Sequence, residues 1–390
     1  MNSAAQELIT ILRAAVLGDA LPEGFAVRDA EALFRLAKMQ DLGHLLLLPE
    51  GAEALFEGDL LAALEKERLR AVWRFGMLFH EEERIEALLA REGIPFLPLK
   101  GAYVRTLWPE PWMRTSCDID LLVARESIPR AAELLAREAG FTLCGESPCN
   151  LSFASEGDTV HLELHFALCG VASSEAVLAR AWDYTREENG RPVLNVPFLL
   201  LHLLSHLAMH LLAGGGGIRA VLDILLVRRC LPYDREELAA LLCEASLTDF
   251  AAAVFRLADL IAGEGEEDAL STRLGNWLIG GQTYADLDRR TLLMAAEGKG
   301  AASTAGRFLR RLLLPYRDLM LSYPALRGRP YLYPYFSLVR LLGYLLRGRL
   351  GLALRNTRRR RATLERMTEE EKRDAESLLV DLGLKGKSLP

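Results

Sequence analysis

Residues 99–123 read "LKGAYVRTLWPEPWMRTSCDIDLLV", a stretch that ends in an apolar run interrupted by two aspartates. Successive side chains of a β-strand alternate between its faces, so Asp118 and Asp120 project from one face while Ile119 and Leu121 project from the other. Two carboxylates held side by side repel each other unless a cation lies between them. The stretch therefore predicts a strand that carries an acidic pair on one face.

A third carboxylate lies in a later strand-like run, "TVHLELHFAL", residues 159–168. In that run Glu163 shares a face with His165. Carboxylate oxygens suit Mg²⁺ or Mn²⁺, which usually also take phosphate oxygens from a substrate, and two such metals can bracket a phosphoryl transfer. We therefore predict that Asp118, Asp120 and Glu163 converge on one cation site.

A structural explanation of the acidic pair is also open. In that interpretation Asp118 caps a turn and Asp120 pairs with Arg114 or Arg125 at the end of the strand. A D-x-D pattern alone is common and is weak evidence for a site. Here the D-x-D pattern follows a strand that ends in Lys-Gly, with a helix between that strand and the pattern. A single acid also lies in a later strand, and this combination favours catalysis.

The periodicity of apolar residues divides the chain into three regions. Apolar residues recur at intervals of three and four from Ser3 to Arg91, which is typical of helices, and short strand patterns begin near Gly93. Helical patterns return near Pro197 and continue to the charged tail. We therefore predict an α+β protein with a helical region at 1–92, a small mixed-sheet domain at 93–195 and a helical region at 196–390.

Three segments, "FLPLKG" (96–101), "RTSCDIDLLV" (114–123) and "HLELHF" (161–166), together resemble the bacterial family of uncharacterised nucleotidyltransferases. That family is a distant branch of the DNA polymerase β-like nucleotidyltransferase superfamily. The resemblance implies a palm-like sheet in which Asp118 and Asp120 bind both metals and Glu163 binds the catalytic one. It also implies that a nucleoside triphosphate (NTP) donates a nucleoside monophosphate.

The chain departs from the wider superfamily at the first turn of the signature. Gly-Ser or Gly-Gly is usual there, whereas this chain has Lys100-Gly101, with sixteen residues between Gly101 and the acidic pair. Gly101 still lets the backbone approach a phosphate, and Lys100 would supply a point charge in place of the serine. Arg114 could add a second cation, and either His165 or an acid of the site could serve as the general base.

One apolar segment, residues 198–218, contains no Asp, Glu, Lys or Arg. Four glycines end its helix near Ala213, which leaves about 16 helical residues, or roughly 24 Å against a hydrocarbon core of about 30 Å. This length indicates a buried helix rather than a transmembrane segment. His202, His206 and His210 lie one turn apart on it, a spacing that can ligate zinc, but without a nearby acid we expect polar contacts inside the protein.

Cysteine usage and the N-terminus indicate the cellular compartment. The six cysteines are scattered and none forms a C-x-x-C pair, and the sequence begins without a basic segment typical of a signal peptide. We therefore expect reduced thiols and a cytoplasmic protein.

Charge is distributed unevenly along the chain. Residues 305–361 contain fourteen arginines and one acid, so this basic segment carries +13 and the remainder carries −19, for a net charge of −6. Such a segment could meet a polyanion, or it could dock on the acidic part of its own chain. Its leucines recur at intervals of three and four, so we predict that it is folded and helical.

These observations predict a metal-dependent nucleotidyltransferase that moves a nucleoside monophosphate from an NTP to a hydroxyl group of an acceptor that the sequence does not name. Two alternatives are a non-catalytic nucleotide- or partner-binding module on the same fold, and a polyanion-binding scaffold. The first alternative predicts nucleotide binding without release of pyrophosphate. The second predicts strongly salt-dependent binding to nucleic acid.

Overall fold

A computed structural model describes residues 3–188, 190–283, 286–297, 314–346 and 349–389 of the chain. A five-stranded mixed sheet lies among helices, which confirms the predicted α+β class. Its strands are β1 (Phe96–Pro98), β2 (Asp118–Val123), β3 (Thr142–Glu146), β4 (Asn150–Ala154) and β5 (His161–His165). The order is β1-β2-β5-β4-β3, and only the β2–β5 pair in this sheet is parallel. A separate hairpin follows, with strands β6 (Thr185–Glu188) and β7 (Arg191–Leu194).

Helices precede, interrupt and follow the sheet. Those before it are α1 (Ser3–Leu17), α2 (Ala30–Met39) and α3 (Gly58–Arg91), and those within the sheet region are α4 (Gly101–Val104), α5 (Ile128–Glu138) and α6 (Glu175–Leu178). The later helices are α7 (Val196–Leu212), α8 (Ile218–Cys230), α9 (Arg235–Glu244), α10 (Thr248–Ala262), α11 (Ala269–Ile279), α12 (Leu287–Ala296), α13 (Tyr316–Ser322), α14 (Tyr333–Leu346), α15 (Arg349–Arg366) and α16 (Glu369–Asp381). The strands predicted around Asp118 and around Glu163 are confirmed as β2 and β5, and the helix predicted to end near Ala213 is confirmed as α7.

Alternation along β2 and β5 gives the sheet one apolar face. Ile119, Leu121, Leu162 and Leu164 are buried on it and belong to one core cluster with residues of α5 and of the C-terminal half of α3. Full burial of a leucine or isoleucine side chain contributes about 1.5–3 kcal/mol, so a register slip that exposed this face would be strongly unfavourable. The burial of the apolar residues therefore decides that the acidic residues of β2 and β5 occupy the opposite face.

Helix α7 contacts the polar side of the site through a bond between His206 and Lys100. The Asn195 side chain caps the helix by accepting a hydrogen bond from the backbone N–H of Phe198. At the other end Gly214 has φ 83°, and a Cβ there would lie 2.3 Å from the carbonyl oxygen of Asp286, so glycine is required. Among the described residues, no helix combines the length and apolar character needed to cross a membrane.

The basic segment is helical where it is described. Helices α13, α14 and the first part of α15 lie within residues 314–346 and 349–361, which confirms the helical prediction there, while residues 305–313 and 347–348 lie outside the described residues. Two of its arginines contact acids elsewhere in the chain: Arg359 pairs with Asp288 at 2.5 Å, and Arg340 contacts Glu146. Part of the positive charge is therefore used within the protein.

The prediction that all six cysteines are reduced is wrong for one pair. Cys149 and Cys169 form a disulfide, whereas the four other cysteines are exposed and form no disulfide among the described residues. Cys149 directly precedes β4 and Cys169 follows β5, and the antiparallel pairing of these strands brings the two residues together. No C-x-x-C spacing marks these two cysteines, because their proximity comes from strand pairing and not from local sequence.

Candidate active site

Acidic residues of β2 and β5 meet on the polar face of the sheet. Asp120 lies directly opposite Glu163 in the parallel pair, and His165 lies one step further along β5 on the same face. Ligand atoms of Asp120, Glu163 and His165 all lie within 4.8 Å of one another. Asp118 is on the same face of β2, but it is not in this group and lies opposite His161. The structure therefore brings together two of the three predicted acids with the histidine, and Asp118 stands at the edge of the cluster.

His165 holds the two carboxylates of this cluster in place. Its ring is buried, and Nε2 lies 2.8 Å from Asp120 Oδ1 and 3.3 Å from Glu163 Oε2. Burial alone would lower the pKa of His165, but its bonds to Asp120 and Glu163 outweigh burial and raise that pKa. With its Nε2 proton shared between two carboxylates, His165 orients the acids and is poorly placed to take a proton from a substrate.

An asparagine that the sequence analysis did not single out completes this support. Asn150 donates from Nδ2 to Glu163 Oε2 at 2.6 Å, and Asn150 Oδ1 accepts a hydrogen bond from the Ser147 hydroxyl at 2.7 Å. Asn150 lies opposite His165 in the β4–β5 pair, so strand register delivers it to the site. The signal for Asn150 in the sequence was only that a polar residue begins a strand-like run.

The two aspartates of β2 differ in their electrostatic environment. Burial and the neighbouring charge of Asp120 raise the pKa of Asp118 to about 6. Burial also acts to raise the pKa of Asp120, but the ammonium group of Lys100 and the bond from His165 outweigh it and lower that pKa. The repulsion that raises the pKa of Asp118 and the oxygen donors of the pair fit a hard cation such as Mg²⁺.

Lys100 points into the acid cluster from the turn that follows β1. Its Nζ lies 3.7 Å from Asp120 Oδ2 and 2.9 Å from Nε2 of His206 on α7. Its φ angle of 28° is unusual for a residue other than glycine, and conformations of this kind cost of order 1–3 kcal/mol and cluster at functional sites. The surrounding contacts hold Lys100 in this conformation.

Gly101 allows Arg114 to approach the same turn. A Cβ on Gly101 would lie 3.0 Å from Arg114 Nη1 and 3.4 Å from the Ser116 hydroxyl. The Nε and Nη2 atoms of Arg114 donate to Asp223 on α8 at 2.9 and 2.8 Å, and Asp223 also accepts a bond from Trp108 Nε1 at 3.0 Å. Asp223 therefore holds Arg114 in place through Nε and Nη2, and the Nη1 atom of Arg114 lies beside Gly101.

The structural interpretation of the acidic pair is wrong in pairing Asp120 with Arg114. Asp120 contacts Lys100 and His165, while Arg114 pairs with Asp223 and the guanidinium of Arg125 stacks on a phenylalanine ring.

The histidine row of α7 extends this polar network. His206 accepts from the Lys100 ammonium, and its Nε2 lies 3.2 Å from Nε2 of His210. Burial and the charge of Lys100 lower the pKa of His202 and of His206 well below the usual value, so both rings are neutral near pH 7. Neither ring nitrogen of His202 has a hydrogen-bond partner among the described residues. The expected interior polar contacts are confirmed for His206 and His210.

The sheet is mixed and is flanked by helices. It presents an acidic pair on one strand and a third acid on the parallel neighbour, an arrangement that defines the nucleotidyltransferase class of palm-like folds. The family model described as uncharacterised nucleotidyltransferase matches residues 27–263, which is more than half of the chain, and the chain therefore belongs to that family. The match includes the whole sheet, the acid cluster and helices α7 and α8. No curated protein matches the chain.

Proposed function

We propose that the protein is a metal-dependent nucleotidyltransferase that moves a nucleoside monophosphate from an NTP to a hydroxyl group of an acceptor. The observation that carries the proposal is the pairing of Asp120 with Glu163 at one level of two parallel strands, beside Asp118, in a chain of the nucleotidyltransferase family. The reaction is attack of the acceptor hydroxyl on the α-phosphate with pyrophosphate as the leaving group.

Asp118, Asp120 and Glu163 are the residues that would hold Mg²⁺ or Mn²⁺. When bound, the metal supplies positive charge that stabilises the phosphoryl groups during transfer. His165 and Asn150 keep the carboxylates of Asp120 and Glu163 in fixed orientations through the bonds described above. Such support reduces the reorganisation needed when substrate binds.

The turn at Lys100 and Gly101 is the expected position of the triphosphate. Lys100 precedes the glycine, and Arg114 Nη1 lies beside it, so two cations adjoin a backbone that carries no Cβ. Phosphate oxygens would satisfy Nη1 of Arg114 while Asp223 keeps the other guanidinium nitrogens in place. Because the Nε2 proton of His165 is already shared with carboxylates, an acid of the site is the better candidate for the general base.

Pyrophosphate release tests this function. The purified chain is incubated with each of the four NTPs, with Mg²⁺ or with excess chelator, first alone and then with sugars, peptides and RNA oligonucleotides as hydroxyl acceptors. We expect Mg²⁺-dependent release of pyrophosphate with at least one pair of donor and acceptor. The rate of release should fall at least about 100-fold in Asp120→Asn and in Glu163→Gln, because each variant removes a charged group from a phosphoryl-transfer site. Glu156→Gln, in the exposed turn between β4 and β5, is the matched control and should retain full activity.

A non-catalytic nucleotide-binding module is the second candidate, and the Lys100–Asp120 contact favours it. Lys100 places a cation of the chain itself next to the acid that would otherwise need a metal. This candidate expects NTP binding, measured by calorimetry, that is equally tight with Mg²⁺ and with chelator and that releases no pyrophosphate with any acceptor. Binding that tightens on addition of Mg²⁺ and is followed by release would contradict it.

A polyanion at the basic segment remains a separate proposal. It is supported by exposed arginines on α15, such as Arg361. Binding of an RNA oligonucleotide that weakens steeply between 50 and 200 mM salt would support it. Equal binding at both salt concentrations would argue against it.

A further inference from the structure

The middle of α3 presents a stripe of exposed side chains along one side of the helix. Trp73 is 63% exposed and Leu69 is 67% exposed, and two further apolar residues, Val72 and Phe79, flank them at 44% and 40%. Contiguous exposed apolar side chains of this size mark interaction sites more often than ordinary surface. The complete stripe, every member of which is exposed, consists of Lys66, Leu69, Trp73, Gly76, His80 and Glu83.

The spacing of the stripe is that of a helix packed along another helix. Its members follow one another at alternating intervals of three and four residues, which is the 3.5-residue repeat of a helix–helix seam. Leu69 and Trp73 are its apolar members, and a helix face that meets only water would carry polar residues at those two positions as well. The stripe therefore fits a helical partner.

The stripe is also symmetric about its own midpoint, between residues 74 and 75. Reversing the helix end for end places Lys66 opposite Glu83 and Trp73 opposite Gly76. Among the described residues, neither Lys66 nor Glu83 takes part in an ion pair. A second copy of the same helix, running antiparallel, would therefore match positive charge to negative charge at both ends and ring to glycine at the centre.

Gly76 supports this arrangement independently. A Cβ at Gly76 would meet no atom within 4 Å, so nothing in its own chain requires glycine there. Glycine in a helix interior is unfavourable relative to alanine, and Gly76 has no positive φ that would explain it. Glycine at this position would leave a flat surface on which the indole ring of another molecule can pack.

We propose that two copies of the chain associate through this stripe, with their α3 helices antiparallel across a two-fold axis. The indole of Trp73 then packs over the partner's Gly76, and Lys66 pairs with the partner's Glu83. The seam runs beside Arg74 and Phe75, which line a small crevice together with Arg114 and Ser116, so the second copy lies next to the turn that we assign to the triphosphate. The association itself does not depend on the proposed function.

Sedimentation velocity of the full chain between 0.5 and 50 µM tests the proposal. We expect dimers of the wild type in this range, and a dissociation constant raised at least 100-fold by Gly76→Leu. The Gly76→Leu side chain has free space in the monomer, so its melting temperature at high dilution should equal or exceed that of the wild type. Val380→Ala, at a 51% exposed apolar position on α16, is the control and should leave the dimer unchanged.

Charge reversal tests the antiparallel direction. Lys66→Glu and Glu83→Lys should each weaken the dimer, and the double variant should restore it because the charges are exchanged at both ends of the seam. A wild type that remains monomeric at 50 µM, a dimer that tolerates Gly76→Leu, or a double variant that is no better than the single ones would each overturn the proposal.

Discussion

Removal of the carboxylate of Asp223 is expected to be among the most destabilising single changes near the site. Asp223→Ala leaves the guanidinium of Arg114 buried without its counter-charge and leaves Trp108 Nε1 without an acceptor. The Arg114 and Asp223 side chains are only 9% and 4% exposed, so water cannot replace the lost bonds. Breaking a buried ion pair by deleting one partner costs about 3–5 kcal/mol.

This free energy sets the expected shift in melting temperature. With an unfolding entropy of about 2.1 cal/mol/K per residue, each kcal/mol lowers the midpoint of this 390-residue chain by about 1.2 °C, so Asp223→Ala should melt roughly 4–6 °C below the wild type. Urea unfolding monitored by circular dichroism gives the free energy of unfolding directly. The exposed pair of Arg91 with Glu138 supplies a control, because water screens this pair and Glu138→Ala should change the melting temperature far less than Asp223→Ala.

A double variant separates buried charge from lost packing. Arg114→Met combined with Asp223→Leu removes both charges and keeps apolar volume, so it should be more stable than Asp223→Ala alone. If Asp223→Ala cost less than 1 kcal/mol, or if the double variant were the less stable of the two, the assignment of Arg114–Asp223 as a buried ion pair would be refuted.

Three further outcomes are expected. Lys100→Ala should weaken NTP binding measured by calorimetry. Lys100→Gly should be more stable than Lys100→Ala by about 1 kcal/mol in urea unfolding, because glycine adopts the positive φ of this position without strain. Equal stability of the two variants would argue against backbone strain at residue 100. Burial lowers the pKa of His44, whose Nε2 bonds to the carbonyl of Met113, so the unfolded chain takes up a proton below about pH 6.5 before the folded chain does. The stability from His44 is therefore present above that pH and is lost as the pH falls, and His44→Gln should flatten the decline in free energy of unfolding between pH 6.5 and 5; an unchanged slope would contradict this. Reduction of the Cys149–Cys169 disulfide, which closes a 20-residue separation, should cost about 3 kcal/mol in the wild type and nothing in a variant with both cysteines changed to serine; equal costs would show that the bond does not form in solution.

Much of the site was predictable because strand alternation is a local property. The pattern D-I-D-L-L-V places Asp118 and Asp120 on one face whatever the rest of the chain does, and the same holds for Glu163 and His165 in β5. The buried apolar residues between them then decide which face is turned to the core.

Partners that come from distant segments could not be predicted in this way. The spacing of Arg219 and Asp223, one turn apart on α8, would allow the two to pair, but Arg219 donates to Asp41 at 2.9 Å and Asp223 binds Arg114. Helix spacing made the local pair possible, whereas packing of α8 against the loop before β2 brought closer partners to each residue.

The sequence by itself determined the secondary structure around the site and the chemical character of the acidic face, because both follow from the period of side chains along a strand or helix. Only the tertiary structure decided that β2 and β5 are parallel neighbours, which sets Asp120 level with Glu163. Tertiary structure also brought His206 to Lys100 across 106 residues of sequence, and it paired Cys149 with Cys169. These contacts depend on which surfaces bury together, and that choice is made by the packing of the whole chain and not by any local pattern.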